Sequence, residues 1–282
     1  AVEHWLFKNA PIVQRASRAG VYAFNEFIAF GLTHSRTALK PVEMVARANI
    51  LRGIRDPQLR EKVTPRFQVG CKRILRSNAW YPALDRRNVD LVTDPIARVT
   101  PSSIVTADGT EREIDVLIVA TGFHVTDLPI AERVRGRDGR SLAEVWADGM
   151  VSNRSATVAG FPNLFLLVGP NVGVGHTSMV YMIESQVAYV DDALRTMDAE
   201  ALEVLETTRE AQEAYRALIA AKSEGTVWLG GGCASWYLDQ HGHNTTLWPD
   251  FTFRFRRLTR KLDRENYIGT PAAAPATPEV AA

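Results

Sequence analysis

Two neighbouring cations, Lys72 and Arg73, follow a glycine and a cysteine in the stretch GCKRI at residues 70–74. An arginine is always protonated and presents a planar fork of donors, so Arg73 could stabilise a short-lived oxyanion. A lysine is a compact cation that suits a phosphate group. Adjacent basic residues are also typical of a solvated loop, and the residues by themselves favour that plainer interpretation.

A second candidate site is the glycine-rich loop LLVGPNVGVGHTS at residues 166–178. Gly173, Gly175 and Ser178 occupy the three glycine positions of a G-x-G-x-x-G phosphate loop, the third as serine. A dinucleotide unit also needs an acidic residue about 20 residues later, at the end of the next strand. That position is still inside a predicted helix, so a complete nucleotide-binding unit is not expected. Glycines and a helix N-terminus would nevertheless suit a flat anionic ligand such as a reduced flavin, or a carboxylate or sulfate.

A third candidate is ATGF at residues 120–123, which ends an apolar run at residues 116–120. Ligands of open parallel sheets bind at the carboxyl ends of the strands, although a turn without a ligand fits the same pattern. His241 and His243 have no third ligand at useful spacing, so we expect no metal site. Ser178 lies in no nucleophile elbow, which argues against a pair of nucleophile and base with His176.

The elements that must position these residues begin with helices over residues 10–64. The segment 21–32 predicts a helix with one buried face, and Pro41 suits the start of another. Asp56 before Pro57 predicts the cap of a short helix ending before Pro65. From residue 88 the apolar period changes, and it predicts short strands at residues 88–92, 97–100 and 103–106. A hairpin turn centred on Asp108-Gly109 follows the last of them.

Two continuous apolar runs, at residues 116–120 and 163–169, predict strands buried on both faces of a parallel sheet. A long apolar stripe predicts a helix over 176–197, followed by a strand at 202–206 and a helix at 208–222. The Ala/Pro-rich end, residues 269–282, predicts a disordered tail. The expected fold class is therefore α/β, with helices gathered at the N-terminus.

The composition is that of an ordinary soluble globular protein, with 46% hydrophobic and 23% charged residues and a formal net charge of +1. This charge gives no reason to expect nucleic acid as a partner. No segment predicts a stable membrane span, and the first residues lack the pattern of a signal peptide. Cys71 and Cys233 lie far apart and form no CxxC, so we expect no disulfide and a cytoplasmic location.

Four segments taken together resemble the class B flavin-dependent monooxygenases, and the Baeyer–Villiger monooxygenases in particular. These segments are 70–84, 115–127, 161–184 and 233–249, and the resemblance covers about residues 1–268. Members of this family carry two G-x-G-x-x-G motifs upstream of this region, and neither occurs in this sequence. The resemblance therefore implies the C-terminal portion of a flavoprotein with two Rossmann-like dinucleotide-binding domains, here partial and preceded by a helical region.

The resemblance also implies a division of the chain. Residues 1–70 would be the helical remainder of the NADPH domain, and residues 71–268 the returning part of the FAD-binding domain with its substrate-side loops. Residues 269–282 would be the tail. In this family FAD, NADPH and O2 are used to insert oxygen into a ketone or a related hydrophobic substrate, which gives an ester or a lactone.

Individual residues match the motifs of the family. Arg73 matches the arginine that stabilises the anion formed during the reaction, and Lys72 the residue that contacts the 2′-phosphate of NADPH. Trp236 matches a tryptophan near the cofactor ribose and the substrate cavity. The remaining cofactor-binding matches are Gly169, Asn171 and Met179 at the flavin ring, and Thr121 and Gly122 beside the FAD.

Two alternatives stay open at this stage. The protein could be a monooxygenase of the same superfamily that acts on nitrogen or sulfur. It could also be a non-catalytic fragment that cannot hold FAD alone, because the phosphate loops are missing from this sequence.

Overall fold

The computed structural model describes residues 2–272, with side chains from residue 5 onward, and these residues divide into two units. The first unit contains the described residues of the ranges 1–40, 67–74 and 125–282. The second contains residues 41–66 and 75–124. Both units combine helices with strands, so the described residues have the expected α/β content.

The first unit opens with two helices, α1 (Val2–Asn9) and α2 (Pro11–Thr33). Pro11 occupies the first turn of α2, where its missing N–H costs no hydrogen bond. Ile28, Ala29 and Leu32 are buried on one face of α2, whereas Phe24 and Phe27 are more than half exposed. The prediction of a helix with one buried face is therefore confirmed.

The rest of the first unit contains α6 (Leu142–Val145), α7 (Met179–Ala199), α8 (Arg209–Ser223), α9 (Val227–Gly230) and α10 (Thr252–Leu258). Its strands are β4 (Leu202–Thr207) and β5 (Tyr267–Pro271), which pair antiparallel from Leu202↔Pro271 to Thr207↔Tyr267. Three short 3₁₀ helices complete this unit, at Arg36–Leu39, Pro129–Glu132 and Arg264–Asn266. The predicted helices at 176–197 and 208–222 and the predicted strand at 202–206 are confirmed.

Tyrosine hydroxyls hold the core of the first unit beside β4 and β5. The Tyr267 hydroxyl lies 2.8 Å from the hydroxyls of both Thr157 and Tyr189. Tyr189 also donates to the carboxylate of Asp263. Because these polar atoms satisfy one another, the aromatic rings can be buried with Leu205 without leaving a hydroxyl unpaired.

The second unit contains most of α3 (Lys40–Gly53), together with α4 (Pro57–Val63) and α5 (Trp80–Leu84). Asp56 caps α4 as predicted, because its Oδ1 accepts a hydrogen bond of 3.0 Å from the Gln58 amide. The strands β1 (Ile96–Val99), β2 (Ser103–Thr106) and β3 (Glu111–Glu113) form an antiparallel sheet. The predicted turn joins β2 to β3, with Gly109 at a φ of 83°.

Three predicted strands are not formed. Residues 88–92, 116–120 and 163–169 have no strand structure, and the two sheets of the described residues are antiparallel. Ile118 and Val119 are 83% and 72% exposed. A parallel strand is held by neighbours on both edges and by cover on both faces, so an apolar run without these neighbours stays open.

The predicted tail begins too early. Residues 269–271 belong to β5, because the edge of β4 gives their backbone a partner. Residues 273–282 lie outside the described part of the chain. Within the described part, no helix is long and apolar enough to cross a membrane.

Candidate functional site

The segment that carries Lys72 and Arg73 has no regular secondary structure, so contacts with other segments must fix its position. The Gln68 amide donates to the Gly231 carbonyl over 3.0 Å. The Arg36 guanidinium links the same segments, because it donates to the Gly230 carbonyl over 2.9 Å and to the Gln68 Oε1 over 3.4 Å. These bonds place residues 67–74 along the segment that begins at residue 230.

A disulfide joins the same two segments, which corrects the expectation of unpaired cysteines. Cys71 and Cys233 are bonded with their Cα atoms 6.2 Å apart, although 162 residues separate them in the sequence. The expectation was wrong because sequence separation says nothing about distance once the chain has folded. Cys71 is fully buried, whereas Cys233 is partly exposed.

Lys72, Arg73 and Trp236 are all exposed and flank this disulfide in sequence. The Lys72 ammonium lies 5.3 Å from the centre of the Phe67 ring. The Trp236 side chain is 51% exposed, and its ring centre lies 4.5 Å from that of Tyr237. Two cations and an aromatic surface are therefore available to a ligand on the segments that the disulfide connects.

Tyr237 is a residue that the sequence analysis did not single out. It is buried, and its hydroxyl has no hydrogen-bond partner within the described residues. Burial raises the pKa of the Tyr237 phenol, and the nearby charge of Arg73 acts in the opposite direction. A Cβ atom placed on Gly175 would lie 4.0 Å from this hydroxyl, so Tyr237 is close to both Arg73 and the glycine loop.

The glycine loop is held by backbone hydrogen bonds to residues 245–248. The Asn171 and Gly173 amides donate to the carbonyls of Thr245 and Thr246 over 3.0 and 2.8 Å. The Trp248 amide donates back to the Gly173 carbonyl over 2.8 Å. These hydrogen bonds give the loop a defined shape, whereas the strand predicted at 163–169 does not form.

Asn171 has a structural role that its predicted flavin contact did not anticipate. Its φ is 60°, a left-handed conformation that asparagine tolerates better than most residues. Its side-chain Nδ2 donates to the Asn244 carbonyl over 2.7 Å, and the residue is buried. Asn171 therefore ties the glycine loop to the segment that follows His243.

Gly169 and Met179 stand at the two ends of the loop. A Cβ atom on Gly169 would lie only 2.3 Å from the Ser155 carbonyl oxygen, so this close approach requires glycine. Met179 is the first residue of α7, and it packs against a buried cluster that includes Met182 and Trp248. The Ser178 side chain makes no capping hydrogen bond to α7.

His176, also in this loop, belongs to a buried polar group that the sequence analysis missed. Its Nε2 lies 3.9 Å from the Glu26 carboxylate, and neither ring nitrogen has a hydrogen-bond partner within the described residues. Glu26 accepts from the amide and from the hydroxyl of Thr252. Burial opposes ionisation of Glu26, but His176 and Thr252 outweigh it and hold the pKa of Glu26 below its usual range. The group links α2, the loop and α10.

A cavity of about 340 Å³ lies between α8 and residues 148–152. Met150, Val151 and Ile219 contribute apolar walls, and the Ser152 and Thr245 hydroxyls are buried there without a partner within the described residues. Of the predicted site residues, Asn171 lines this cavity, and Lys72, Arg73 and Trp236 do not. The cavity is therefore not part of the candidate site that Lys72, Arg73 and Trp236 form.

Thr121 and Gly122 lie in the second unit, at the end of the apolar run that forms no strand. Both are exposed, and Gly122 has a φ of 97°. His241 and His243 are exposed in the first unit, and the His243 Nδ1 lies 3.6 Å from the Asp239 carboxylate. No group of metal-ligating side chains occurs among the residues that the structure describes.

Curated relatives identify the family. No protein-family profile matches the sequence. A Baeyer–Villiger monooxygenase of Pseudomonas aeruginosa is 47% identical over 271 residues, which are 95% of this chain and 51% of that protein. A second one, from Streptomyces coelicolor, is 44% identical over 274 residues, 96% of this chain and 53% of that protein. The chain matches the C-terminal portion of Baeyer–Villiger monooxygenases.

Solved structures of this family agree with the sequence relatives. Cyclohexanone monooxygenase from Rhodococcus sp. Phi1, bound to NADP⁺, matches with a TM-score of 0.74 and 26% identity over 86% of this chain. A steroid monooxygenase bound to NADP matches with a TM-score of 0.72 and 27% identity. The chain spans about half the length of these relatives, 47% in both solved structures. The family resemblance found in the sequence is therefore confirmed.

Proposed function

We propose that this chain supplies the C-terminal half of an NADPH- and FAD-dependent monooxygenase that inserts oxygen from O2 into a ketone. The grouping of Lys72, Arg73 and Trp236 carries this proposal. These residues come from motifs more than 160 residues apart, and a disulfide, a hydrogen bond from Gln68 to Gly231 and the Arg36 guanidinium bring their segments together. In this proposal the bound FAD supplies the oxygen chemistry, and the chain supplies charge, orientation and a surface for the nicotinamide cofactor.

Arg73 is proposed as the catalytic cation. Its side chain is exposed and its charge acts on Tyr237, whose hydroxyl lies close to Gly175 of the glycine loop, so it can approach an anion that forms over that loop. A guanidinium stays protonated at all working pH values and offers several donors to one oxyanion. A fixed positive charge in a site that excludes water stabilises an oxyanion far more than it would in water.

Lys72 and Trp236 are proposed to bind NADPH. The Lys72 ammonium is exposed and has no carboxylate within ion-pair distance among the described residues, so it is available to the 2′-phosphate. Half of the Trp236 surface is open, and it can pack against the ribose and the nicotinamide side of the cofactor. A ligand that covers Trp236 gains the burial of a large aromatic surface.

The glycine loop is proposed to face the flavin ring. Gly169 and Met179 frame it, and Asn171 holds its shape through hydrogen bonds to residues 244 and 245. The N-terminus of α7, just behind the loop, would stabilise negative charge on the ring. In this role Asn171 acts by fixing the loop, because its amide and its side-chain nitrogen already donate within the protein.

The apolar runs at 116–120 and 163–169 are proposed to form sheet strands when the chain is part of a full-length protein. That protein would contain two Rossmann-like dinucleotide-binding domains. Their exposed side chains, Ile118 at 83% and Leu167 at 53%, support this proposal. Thr121 and Gly122 would then lie at a strand end beside the FAD. Residues 1–70 and 71–268 would belong to the NADPH and the FAD domain respectively.

The experiment joins this chain to the part of the Pseudomonas aeruginosa relative that the match leaves uncovered. The chimera is assayed for NADPH oxidation and for ester formation from cyclohexanone, with and without Arg73→Ala. We expect ester formation to fall by about 10² to 10³-fold, the usual cost of removing one group that stabilises an oxyanion, while flavin reduction continues.

Arg66→Ala is the matched control, because the Arg66 side chain is 88% exposed and pairs only loosely with Glu61 at 3.7 Å. Ester formation that survives Arg73→Ala at the level of the control would contradict the proposal. Oxidation of a sulfide or an amine without oxidation of the ketone would favour the alternative monooxygenase activity instead.

A further inference from the structure

We propose that the Cys71–Cys233 disulfide positions Arg73 beside Tyr237, and that its reduction by a dithiol releases Arg73 from this place. The importance of this position of Arg73 for catalysis rests on the proposed function. The positioning of Arg73 by the disulfide does not rest on it, and it is tested on the chain alone. Cys71 and Cys233 are therefore positioning residues that act through Arg73.

Neither end of the disulfide lies in a regular helix or strand. Residues 67–74 and 231–237 are irregular, so no helix or sheet ladder fixes the direction of Arg73. Apart from the disulfide, the two segments are held by the Gln68–Gly231 hydrogen bond and by the Arg36 guanidinium, which donates to both Gln68 and Gly230. Irregular segments with few hydrogen bonds open locally at low free-energy cost, so a covalent bond at Cys71 has a large effect on its neighbours.

The residues around the disulfide are closely packed. A Cβ atom placed on Gly231 would lie 2.8 Å from both the Cβ and the Sγ of Cys71. A Cβ atom placed on Gly70 would lie 2.2 Å from a methyl carbon of Leu32. The backbone before Cys71 and the backbone of the opposite segment thus pack closely at the bond, and Arg73 follows Cys71 by two residues.

The two cysteines differ in their exposure to solvent. Cys233 is partly exposed and Cys71 is buried, so an incoming thiolate has access from the Cys233 side. The thiolate attacks the Cys233 sulfur and forms a mixed disulfide, and Cys71 leaves as a thiolate that takes up a proton. The second thiol of the reagent then displaces Cys233 as a thiol. Two electrons pass from the dithiol, which becomes a disulfide, to the protein.

Tyr237 provides a reporter of the position of Arg73. Burial raises the pKa of the Tyr237 phenol, and Arg73 is the charged group that acts against this rise. If Arg73 moves away, the opposing charge is lost and the phenol titrates at higher pH. The reporter needs neither cofactor nor substrate, so its result is independent of any catalytic activity.

The experiment labels the chain with 3-fluorotyrosine, whose phenol is more acidic than that of tyrosine, and follows the Tyr237 resonance by ¹⁹F NMR. Tyr237→Phe assigns the resonance. Its titration midpoint is measured before and after reduction, with Arg73 and with Arg73→Gln. We expect reduction to raise the midpoint, Arg73→Gln to raise it in the oxidised chain, and Arg73→Gln to add no further rise after reduction.

If reduction and Arg73→Gln do not raise the titration midpoint additively, the disulfide acts by positioning Arg73. General stabilisation of the fold would give a different result. If the disulfide only stabilised the fold, its reduction would lower the midpoint of thermal unfolding, but the effect of Arg73→Gln on the Tyr237 titration would be equal in the oxidised and the reduced chain. That equality would overturn the proposal, as would an unchanged midpoint on reduction. Arg66→Gln is the control, and we expect it to leave the midpoint unchanged in both states.

Two further measurements check that the change in the Tyr237 titration midpoint comes from loss of the disulfide. The Cys71→Ala, Cys233→Ala double variant should reproduce the raised midpoint without any reductant. Thiol titration of the denatured chain should find two thiols only after reduction. Two free thiols in the untreated chain would overturn the proposal.

Discussion

The strand β4 and the apolar segment 116–120 were both predicted as strands but have opposite structures. β4 reads LEVLET, with two glutamates, whereas residues 116–120 are an uninterrupted apolar run. β4 pairs with β5, and Leu205 is 2% exposed, whereas Ile118 in the other segment is 83% exposed. An apolar run thus specifies a strand only where a second strand and a covering layer are available.

The same difference between paired and unpaired segments also separates the residues of the candidate site. Gly169, Asn171 and Met179 lie in the first unit, where backbone hydrogen bonds and packing hold the glycine loop. Thr121 and Gly122 follow the unpaired segment of the second unit. Of the proposed cofactor residues, those assigned to the flavin ring thus lie in or beside a loop that hydrogen bonds and packing hold, whereas those assigned to the strand end follow a segment without strand structure.

The largest expected effect is on amide hydrogen exchange. Amides of residues 202–207 that donate within the β4–β5 ladder should exchange about 10³-fold more slowly than those of residues 116–120, because ladder opening costs several kcal/mol. Mass spectrometry of short peptides measures both segments in one sample. Equal protection of the two segments would contradict the comparison.

The next effect is on the free energy of unfolding. Leu205→Ala should cost about 2–5 kcal/mol, because it leaves a cavity in a buried cluster. Ile118→Ala should change the free energy by no more than about 0.5 kcal/mol, because little surface is buried there. Urea unfolding followed by circular dichroism compares the two variants. A large loss for Ile118→Ala would mean that the segment is packed after all.

A smaller effect concerns a carboxylate of the well-packed first unit. Burial opposes ionisation of Asp250, but bonds from Lys222, the Phe251 amide and Arg254 outweigh it and hold the pKa of Asp250 below its usual range. Its stabilisation is therefore present above the ordinary Asp pKa of about 3.9 and is lost as the pH falls through the lower folded pKa.

Asp250→Asn should cost about 1–3 kcal/mol at pH 7, a value discounted because the Lys222 and Arg254 side chains are 29% and 50% exposed. The difference from the parent chain should shrink below about pH 4. Asp191→Asn is the control, since its pair with Arg195 is largely exposed. A difference that does not depend on pH would contradict this assignment.

The smallest effect on stability comes from Ile118→Lys, which we expect to leave the free energy of unfolding within about 0.5 kcal/mol of the parent chain. Open apolar segments promote association, so the charge should lower self-association in sedimentation velocity. If instead the variant unfolds at lower urea concentration, residue 118 makes contacts that its exposure does not reveal.

The sequence predicted the local elements well where their signals are local. The Asp56 cap, the Asp108-Gly109 turn and the helices around α7 and α8 depend on nearby residues, and each of them formed. The two apolar runs failed because a parallel strand depends on distant partners. Residues 269–271 of the predicted tail form part of β5, because β4 provides an edge with which they pair. The composition of the tail does not reveal this edge.

The site could be predicted in part. The motifs pointed to Lys72, Arg73 and Trp236, but no local pattern shows that Cys71 and Cys233 meet, since contact across 162 residues is a property of the fold. Tyr237, next to Trp236, was missed because a buried tyrosine looks like ordinary core. The pair of Glu26 and His176 was missed because no spacing links residues 150 positions apart.

Under the proposed function, the chain holds Lys72 and Trp236 in place for NADPH but does not hold FAD alone, because the segment 116–120 pairs with no strand among the described residues. FAD titration of the purified chain, followed by quenching of FAD fluorescence and by ultrafiltration, tests this claim directly. We predict no saturable binding by the chain and stoichiometric FAD in the chimera with the Pseudomonas aeruginosa relative. Tight one-to-one binding of FAD by the chain alone would contradict the account.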